Sequence, residues 1–112
     1  MKLINAFSIG MLGPVPEHHA ASVAFRRITS EQARHILDHG IESAVGHPST
    51  AVLLSDLLGL EVPANRMSVA LMSGERAIVA QYVGPRLPDG AIKLPSGAEI
   101  QWFEIEILER SF

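Results

Sequence analysis

The hydrophobic positions along the chain follow two different periods, which predict a mixture of strands and helices. Segments in which apolar residues are continuous or alternate with polar ones are predicted strands: residues 2–8, 22–28, 67–72, 76–83 and 100–109. Residues 41–45 form a further brief extended piece. Because Ser73-Gly74-Glu75 is typical of a hairpin turn, the strands on either side of it are expected to pair.

Two helices interrupt this strand pattern. Thr29 and Gln32 have the spacing of a capping box, which predicts the start of the first helix. Pro48 suits the first position of a second helix, which is expected to end near Leu58 at Gly59. The apolar residues of this second helix that are expected to lie in the core are Val52, Leu53, Leu57 and Leu58. The sequence thus predicts an α/β fold, a single compact domain with a mixed β-sheet of about five strands and helices packed on it.

Composition narrows the class of protein. The chain has 112 residues, the usual size of one domain, so residues 1–112 are treated as one domain. With no cysteine, disulfides, thiolate metal sites and a cysteine nucleophile are excluded. A net charge of −3 argues against a protein that coats DNA or RNA. No signal-peptide pattern or membrane-length apolar run is present, so we expect a cytoplasmic protein without membrane contact.

The segment Gly46-His47-Pro48-Ser49-Thr50 has the composition of an anion-binding site. It brings free backbone amides, the positive end of a helix dipole and two hydroxyl groups into one turn. A histidine there can donate a proton to a leaving oxygen. The alternative reading is an ordinary helix start with an exposed histidine.

Other polar residues stand where the chain turns. Arg66 and Arg86 both lie at chain reversals, and the planar guanidinium suits phosphate, although most arginines form surface salt bridges. Asp89 can orient a reacting group or simply form the turn. Asn5 and Ser8 offer an amide and a hydroxyl group at the end of the first strand, and strand ends are common ligand positions in α/β sheets.

The remaining histidines do not predict a metal site or a cofactor. His18 and His19 are adjacent in a loop, without the carboxylate partners that a metal centre would add. His35 and His39 lie four residues apart and can share one helix face, but such pairs are usually solvated. We therefore expect no metal.

The motifs together resemble one family. N-A-F-S near the start, then G-H-P-S-T-A-x-L-L-S-x-L-L-G-x-x-V-P-x-N-R, then R-L-P-D-G occur in this order over nearly the whole chain. They resemble the ring nucleases typified by a viral anti-CRISPR enzyme, with relatives in viruses, phages and bacteria. The resemblance implies a homodimer that binds cyclic tetra-adenylate, the second messenger of type III CRISPR systems. It also implies metal-independent cleavage to linear di-adenylate ending in a 2′,3′-cyclic phosphate.

The resemblance also implies roles for single residues. His47 matches the general acid, and Arg66, Arg86 and Asp89 match residues of the active centre. The residues that match the rest of the ligand pocket are Asn5, Ala6, Ser8, Gly46, Ser49 and Thr50. Asp89 departs from the family pattern, in which glutamate is more usual, and its side chain is one methylene shorter.

Two other functions fit parts of the same sequence. A non-catalytic sponge that sequesters a cyclic nucleotide needs the arginines but has no need of a proton donor such as His47. A small dimeric regulatory protein of a virus or phage would bind DNA or a protein partner, but the net charge of −3 and the lack of a helix-turn-helix pattern count against it.

Overall fold

A five-stranded mixed sheet is the frame of the molecule in the computed structural model, which describes residues 1–110 and residue 112. The strands are β1 Lys2–Ile4, β2 Ala21–Ile28, β3 Glu42–Ser43, β4 Arg76–Val83 and β5 Glu99–Arg110, in the spatial order β2-β5-β4-β1-β3. Strand β1 is parallel to both β3 and β4, whereas β5 is antiparallel to both β2 and β4. A 3₁₀ turn at Ile9–Leu12 and two helices, α1 Ser30–Leu37 and α2 Pro48–Leu58, complete the fold.

The predicted fold class is confirmed, and so are the signals that begin both helices and the glycine that ends α2. The Thr29 side chain accepts a hydrogen bond from the Gln32 amide, while the Gln32 side chain accepts one from the Thr29 amide. Pro48 is the first residue of α2. Gly59 ends that helix in the left-handed region, at φ 68°, which a residue without a Cβ adopts without strain.

The predicted hairpin around residues 73–75 is wrong. Residues 67–72 form no strand, and Leu71 donates its backbone N–H to the Met11 carbonyl at 2.8 Å instead of pairing with β4. The reason is topological, because β4 already has β1 on one side and β5 on the other. The first strand is also shorter than predicted, since the chain turns away after Ile4 and the Ser8 hydroxyl caps the 3₁₀ turn.

Apolar side chains are buried on both faces of the sheet. The cluster on the helical side comprises Leu3, Ile28, Ala33, Leu37, Val45, Ala51, Leu54, Leu58, Val62, Ile78, Ala80 and Trp102. The cluster on the opposite side comprises Ile4, Leu12, Leu71, Ala77, Val79, Ile105 and Ile107. Leu53 and Leu58 are buried as predicted, but Val52 and Leu57 were wrongly assigned to the core, being 44% and 40% exposed. Helix α2 is therefore apolar beyond the face that it buries.

Glu75 fastens residues 67–75 to the sheet. Its carboxylate pairs with the Lys2 ammonium group and accepts a hydrogen bond from the Met72 amide at 3.1 Å. Burial alone would raise the pKa of this carboxyl, but the hydrogen bonds from Lys2 and Met72 outweigh burial and hold the pKa below its usual value.

The lowered pKa of Glu75 predicts a pH-dependent contribution to stability. A carboxyl whose pKa is lower in the folded state stabilises the fold above its unfolded pKa of about 4.3, and this contribution is lost as the pH falls through the folded pKa. We expect Glu75→Gln to lower the free energy of unfolding at pH 7 by about 1 kcal/mol. The difference from wild type should shrink below about pH 4 in urea titrations. Glu109→Gln, at an exposed position, is the matched control. A difference that is constant with pH would contradict the assignment.

Candidate functional site

Three parallel strands end at one edge of the sheet. Because β3, β1 and β4 run in the same direction, the segments that follow them leave the sheet on the same side. These segments are residues 5–8, residues 44–47 and residues 84–98. The carboxyl edge of parallel strands is the usual ligand position in α/β sheets, and most of the candidate residues lie in these segments.

His47 stands at the start of α2. It occupies the N-cap position in extended conformation, with φ −97° and ψ 123°, and its side chain makes no capping hydrogen bond. Pro48 carries no N–H, so the amides of Ser49 and Thr50 are the donors left open in the first turn. The imidazole of His47 is exposed, whereas Ser49 and Thr50 are half-buried beside it. This turn offers amide donors, hydroxyl groups and the positive end of a helix dipole to an anion.

A cleft of about 350 Å³ joins this helix start to the loop between β4 and β5. It is lined by His47, Ser49, Thr50, Leu87, Pro88, Asp89 and Gly90. The structure thus brings His47 and Asp89 together from distant parts of the sequence. Leu87, Pro88 and Gly90 were not singled out as site residues, although they belong to the R-L-P-D-G motif that carries Asp89.

The loop of residues 84–98 is closed at its base and braced near its beginning. Gly84 has φ 145°, and a Cβ placed there would lie 2.8 Å from both Cα and Cβ of Ala98, so only glycine fits. The Tyr82 hydroxyl donates a hydrogen bond to the Pro85 carbonyl, which precedes Arg86. Both contacts restrict the part of the loop that leads to the cleft.

Arg66 is held beside the helix start. A Cβ added at Gly46 would lie 3.6 Å from both Cα and Cβ of Arg66, so the two backbones pass close to each other. The preceding residue, Asn65, donates its backbone N–H to the Val45 carbonyl at 2.8 Å. The segment that bears Arg66 therefore runs alongside the segment that leads into His47.

Four of the nine Lys and Arg side chains form ion pairs with glutamates, and the other five, which include Arg66 and Arg86, form none among the described residues. Lys2, Arg26, Arg27 and Arg76 are each paired with a glutamate across the sheet. Arg66 and Arg86 are exposed, and neither has a carboxylate within ion-pair distance in the part of the chain that the structure describes. The reading of these two arginines as surface salt bridges is thus not supported, and their charges remain available to an anion.

Some predicted site residues lie outside the cleft. Neither Arg66 nor Arg86 is among the residues that line the cleft, although Arg86 belongs to the same loop as Asp89. Asn5, Ala6 and Ser8 leave the same sheet edge without lining it either, and the Ser8 hydroxyl accepts the Gly10 amide. A ligand that reaches all these residues must extend well beyond the cleft.

A larger cleft of about 680 Å³ lies at the other end of α2, near Leu57 and Trp102. Its one basic side chain, Arg27, lies 3.9 Å from the Glu99 carboxylate, so the smaller cleft is the better candidate for an anion site. Over residues 1–110 and 112, no three His, Asp or Glu side chains come together as a metal site would require. Over the same residues, neither helix has the length and apolar character to cross a membrane.

Comparison with known proteins gives consistent matches over most of the chain. The family model described as STIV B116-like matches residues 1–107. Uncharacterized protein ORF117 of Acidianus two-tailed virus is 37% identical over 75 residues, covering 64% of this chain and 63% of the relative. Uncharacterized protein 26 of Sulfolobus islandicus filamentous virus is 31% identical over 68 residues, covering 60% of this chain and 57% of the relative. The matches thus span less than two thirds of each relative.

A solved structure resembles the whole fold. B116 of Sulfolobus turreted icosahedral virus superposes with a TM-score of 0.71 at 27% sequence identity, covering 94% of this chain and 97% of its own. All three of these similar proteins come from viruses.

Proposed function

The chain belongs to the STIV B116-like family, and from the site just described we propose that it is a metal-independent ring nuclease that opens cyclic tetra-adenylate. The observation that carries this proposal is the cleft that His47 and Asp89 line together with Ser49 and Thr50 of the first turn of α2. The family has viral members, so the proposed role is to remove the second messenger of type III CRISPR systems in the host cytoplasm. Defence nucleases that depend on this messenger would then be switched off.

The polar groups around the cleft match a phosphodiester of ribonucleic acid. The amides and hydroxyls of Ser49 and Thr50 can hold the phosphate oxygens, as helix starts commonly do. Arg66 and Arg86, free of carboxylate partners in the described residues, can add charge-assisted hydrogen bonds. These groups also stabilise the charge that grows on the phosphate in the transition state.

The reaction needs little beyond alignment and one proton donor. The ribose 2′-oxygen lies next to its own phosphate, so the attack is intramolecular and requires an in-line geometry. The 2′-oxygen forms a bond to phosphorus, the bond to the 5′-oxygen breaks, and the product ends in a 2′,3′-cyclic phosphate. His47 donates its proton to the departing 5′-oxygen. Asp89 accepts a hydrogen bond from the 2′-hydroxyl, orients it and receives its proton.

The size of the cleft supports a shared site. At about 350 Å³ it is at the lower end of the range for small-molecule pockets, roughly 300–1,000 Å³, and too small for four nucleotides. A two-fold homodimer would double the arginines to four, against the four phosphates of the ring. It would also extend the site past a single cleft, which the scattered positions of Asn5 and Arg86 require. We therefore propose that the working unit is a homodimer.

The proposal is tested by incubating the purified protein with cyclic tetra-adenylate or cyclic hexa-adenylate in EDTA and separating the products. We expect the tetra-adenylate ring to yield linear di-adenylate with 2′,3′-cyclic phosphate ends, at the same rate with and without EDTA. Binding without cleavage would instead identify a sponge. If neither ring is bound or cut, a regulatory protein with another partner becomes the better reading, and the proposed function fails.

A further inference from the structure

The segment that carries Arg66 is attached to the rest of the molecule at two points. After α2 ends, the Val62 amide donates to the Ser55 hydroxyl at 2.9 Å, and that hydroxyl donates to the Ala51 carbonyl at 2.7 Å. Four residues before Arg66, this contact holds the returning chain against the helix that His47 begins. The second attachment is made by the hydrogen bonds of Asn65.

Asn65 makes two hydrogen bonds to the backbone that leads into His47. Its backbone N–H donates to the Val45 carbonyl, and its side-chain amide donates to the Ser43 carbonyl at 2.8 Å. Ser43 is the last residue of β3, and its hydroxyl accepts the Val45 amide at 3.2 Å. The side-chain amide also approaches the Met67 sulfur at 3.4 Å. Asn65 thereby ties the Arg66 segment to the end of β3.

These contacts set the position of the Arg66 backbone relative to the segment that leads into His47. Arg66 has no ion pair of its own among the described residues, so its position is set by its backbone neighbours. Those neighbours are Gly46, against which its Cα packs, and Asn65, which spans the gap to β3. No salt bridge or buried side chain of Arg66 would restore the alignment after Asn65 is changed.

We infer that Asn65 is a positioning residue for the proposed reaction, acting through Arg66 to hold its guanidinium group in register with His47. This inference rests on the proposed function. Asn65 is exposed and its backbone hydrogen bond survives substitution, so the fold should remain intact in the variants below.

The test is a double-mutant cycle measured by single-turnover cleavage of cyclic tetra-adenylate, with ring affinity measured in parallel. Asn65→Ala is expected to slow cleavage about 10-fold, as misplacing a catalytic group commonly does, with a change in affinity of less than about 3-fold. Asn65→Asp keeps the size of the side chain but replaces the donor with a carboxylate, which cannot donate to the Ser43 carbonyl. It should therefore slow cleavage by a similar factor. In an Arg66→Ala background, Asn65→Ala should slow cleavage less than about 2-fold, because coupled residues are not additive.

Met67→Leu is the matched control. It removes the sulfur acceptor beside Asn65 while keeping the hydrogen bond to Ser43, so its cleavage rate should equal that of wild type. Full additivity of the Asn65 and Arg66 substitutions, or an unchanged rate in Asn65→Ala, would overturn the inference while leaving the proposed function standing.

A second measurement tests the positioning of Arg66 by Asn65 independently of the proposed ring-nuclease function. The ¹⁵N heteronuclear NOE of the Arg66 backbone amide reports the order of this segment without any ligand. We expect it to fall in Asn65→Ala and to stay unchanged in Met67→Leu. If wild type neither binds nor cuts the ring, the proposed function is what fails, and the role of Asn65 in holding Arg66 is then decided by this NOE alone. An NOE that is equal in all three proteins would overturn it.

Discussion

Replacing His47 by alanine is expected to slow single-turnover cleavage of cyclic tetra-adenylate by about 10²–10⁴-fold, the usual contribution of a positioned general acid. Ring binding should survive, because the substitution removes the proton donor and none of the amides, hydroxyls or arginines proposed to hold phosphate. Helix α2 should also survive, since the His47 side chain makes no capping hydrogen bond.

The matched control for His47 is His39→Ala, another exposed histidine, which lies outside the cleft and should cut the ring at the wild-type rate. Retained cleavage in His47→Ala would move the chemistry elsewhere, to Asp89 or to alignment alone. If binding and cleavage instead fall by the same factor, His47 is a ligand contact and not the acid.

Arg66→Ala and Arg86→Ala are each expected to weaken binding of cyclic tetra-adenylate about 10–100-fold, the equivalent of losing a charge-assisted hydrogen bond. Isothermal titration would measure the affinities, and lysine at either position should recover only part of the loss, because an ammonium group lacks the planar fork. Stability should be unaffected, since neither arginine makes an ion pair in residues 1–110 and 112.

Arg76→Ala provides the comparison for the two arginine variants. Arg76 lies at the start of β4, away from the carboxyl edge, and its guanidinium is 3.4 Å from the Glu106 carboxylate. It should bind the ring as wild type does. If all three substitutions weaken binding equally, the affinity for the ring depends on the overall charge of the protein. The proposal that Arg66 and Arg86 contact the ring directly would then fail.

The parts of the fold that local chemistry determines were predictable from sequence. The capping box of Thr29 and Gln32, Pro48 at the helix start and Gly59 at its end each depend on neighbours within a few residues, and each is present. The hairpin failed because strand pairing is a property of the whole sheet. Residues 67–72 have strand-like apolar positions, but β1 takes the place beside β4 that they would need.

The candidate site divides in the same way. The sequence around His47 was enough to predict an anion-binding turn at the start of a helix. That His47 and Asp89 line the same cleft depends on the path of the loop between β4 and β5, which the sequence does not specify. The role of Asn65 could not be predicted, because a polar residue in a turn has no sequence signal for a hydrogen bond to a strand end. Likewise, the lack of a carboxylate partner for Arg66 among the described residues depends on tertiary contacts, which have no sequence signal.

The N-cap position of α2 can hold either the proposed proton donor or a residue that stabilises the helix, but not both. Serine, threonine, asparagine and aspartate satisfy the open amides at such a position, and a residue that does not do so costs the helix about 1 kcal/mol. The imidazole of His47 makes no such bond, so under the proposed function this position serves the reaction at the expense of the helix. In a lineage freed from the need to cut its ligand, selection for stability alone would favour His47→Ser or His47→Asp. The identity of this one residue in a relative is then a record of whether that lineage is still under selection to act on the ring.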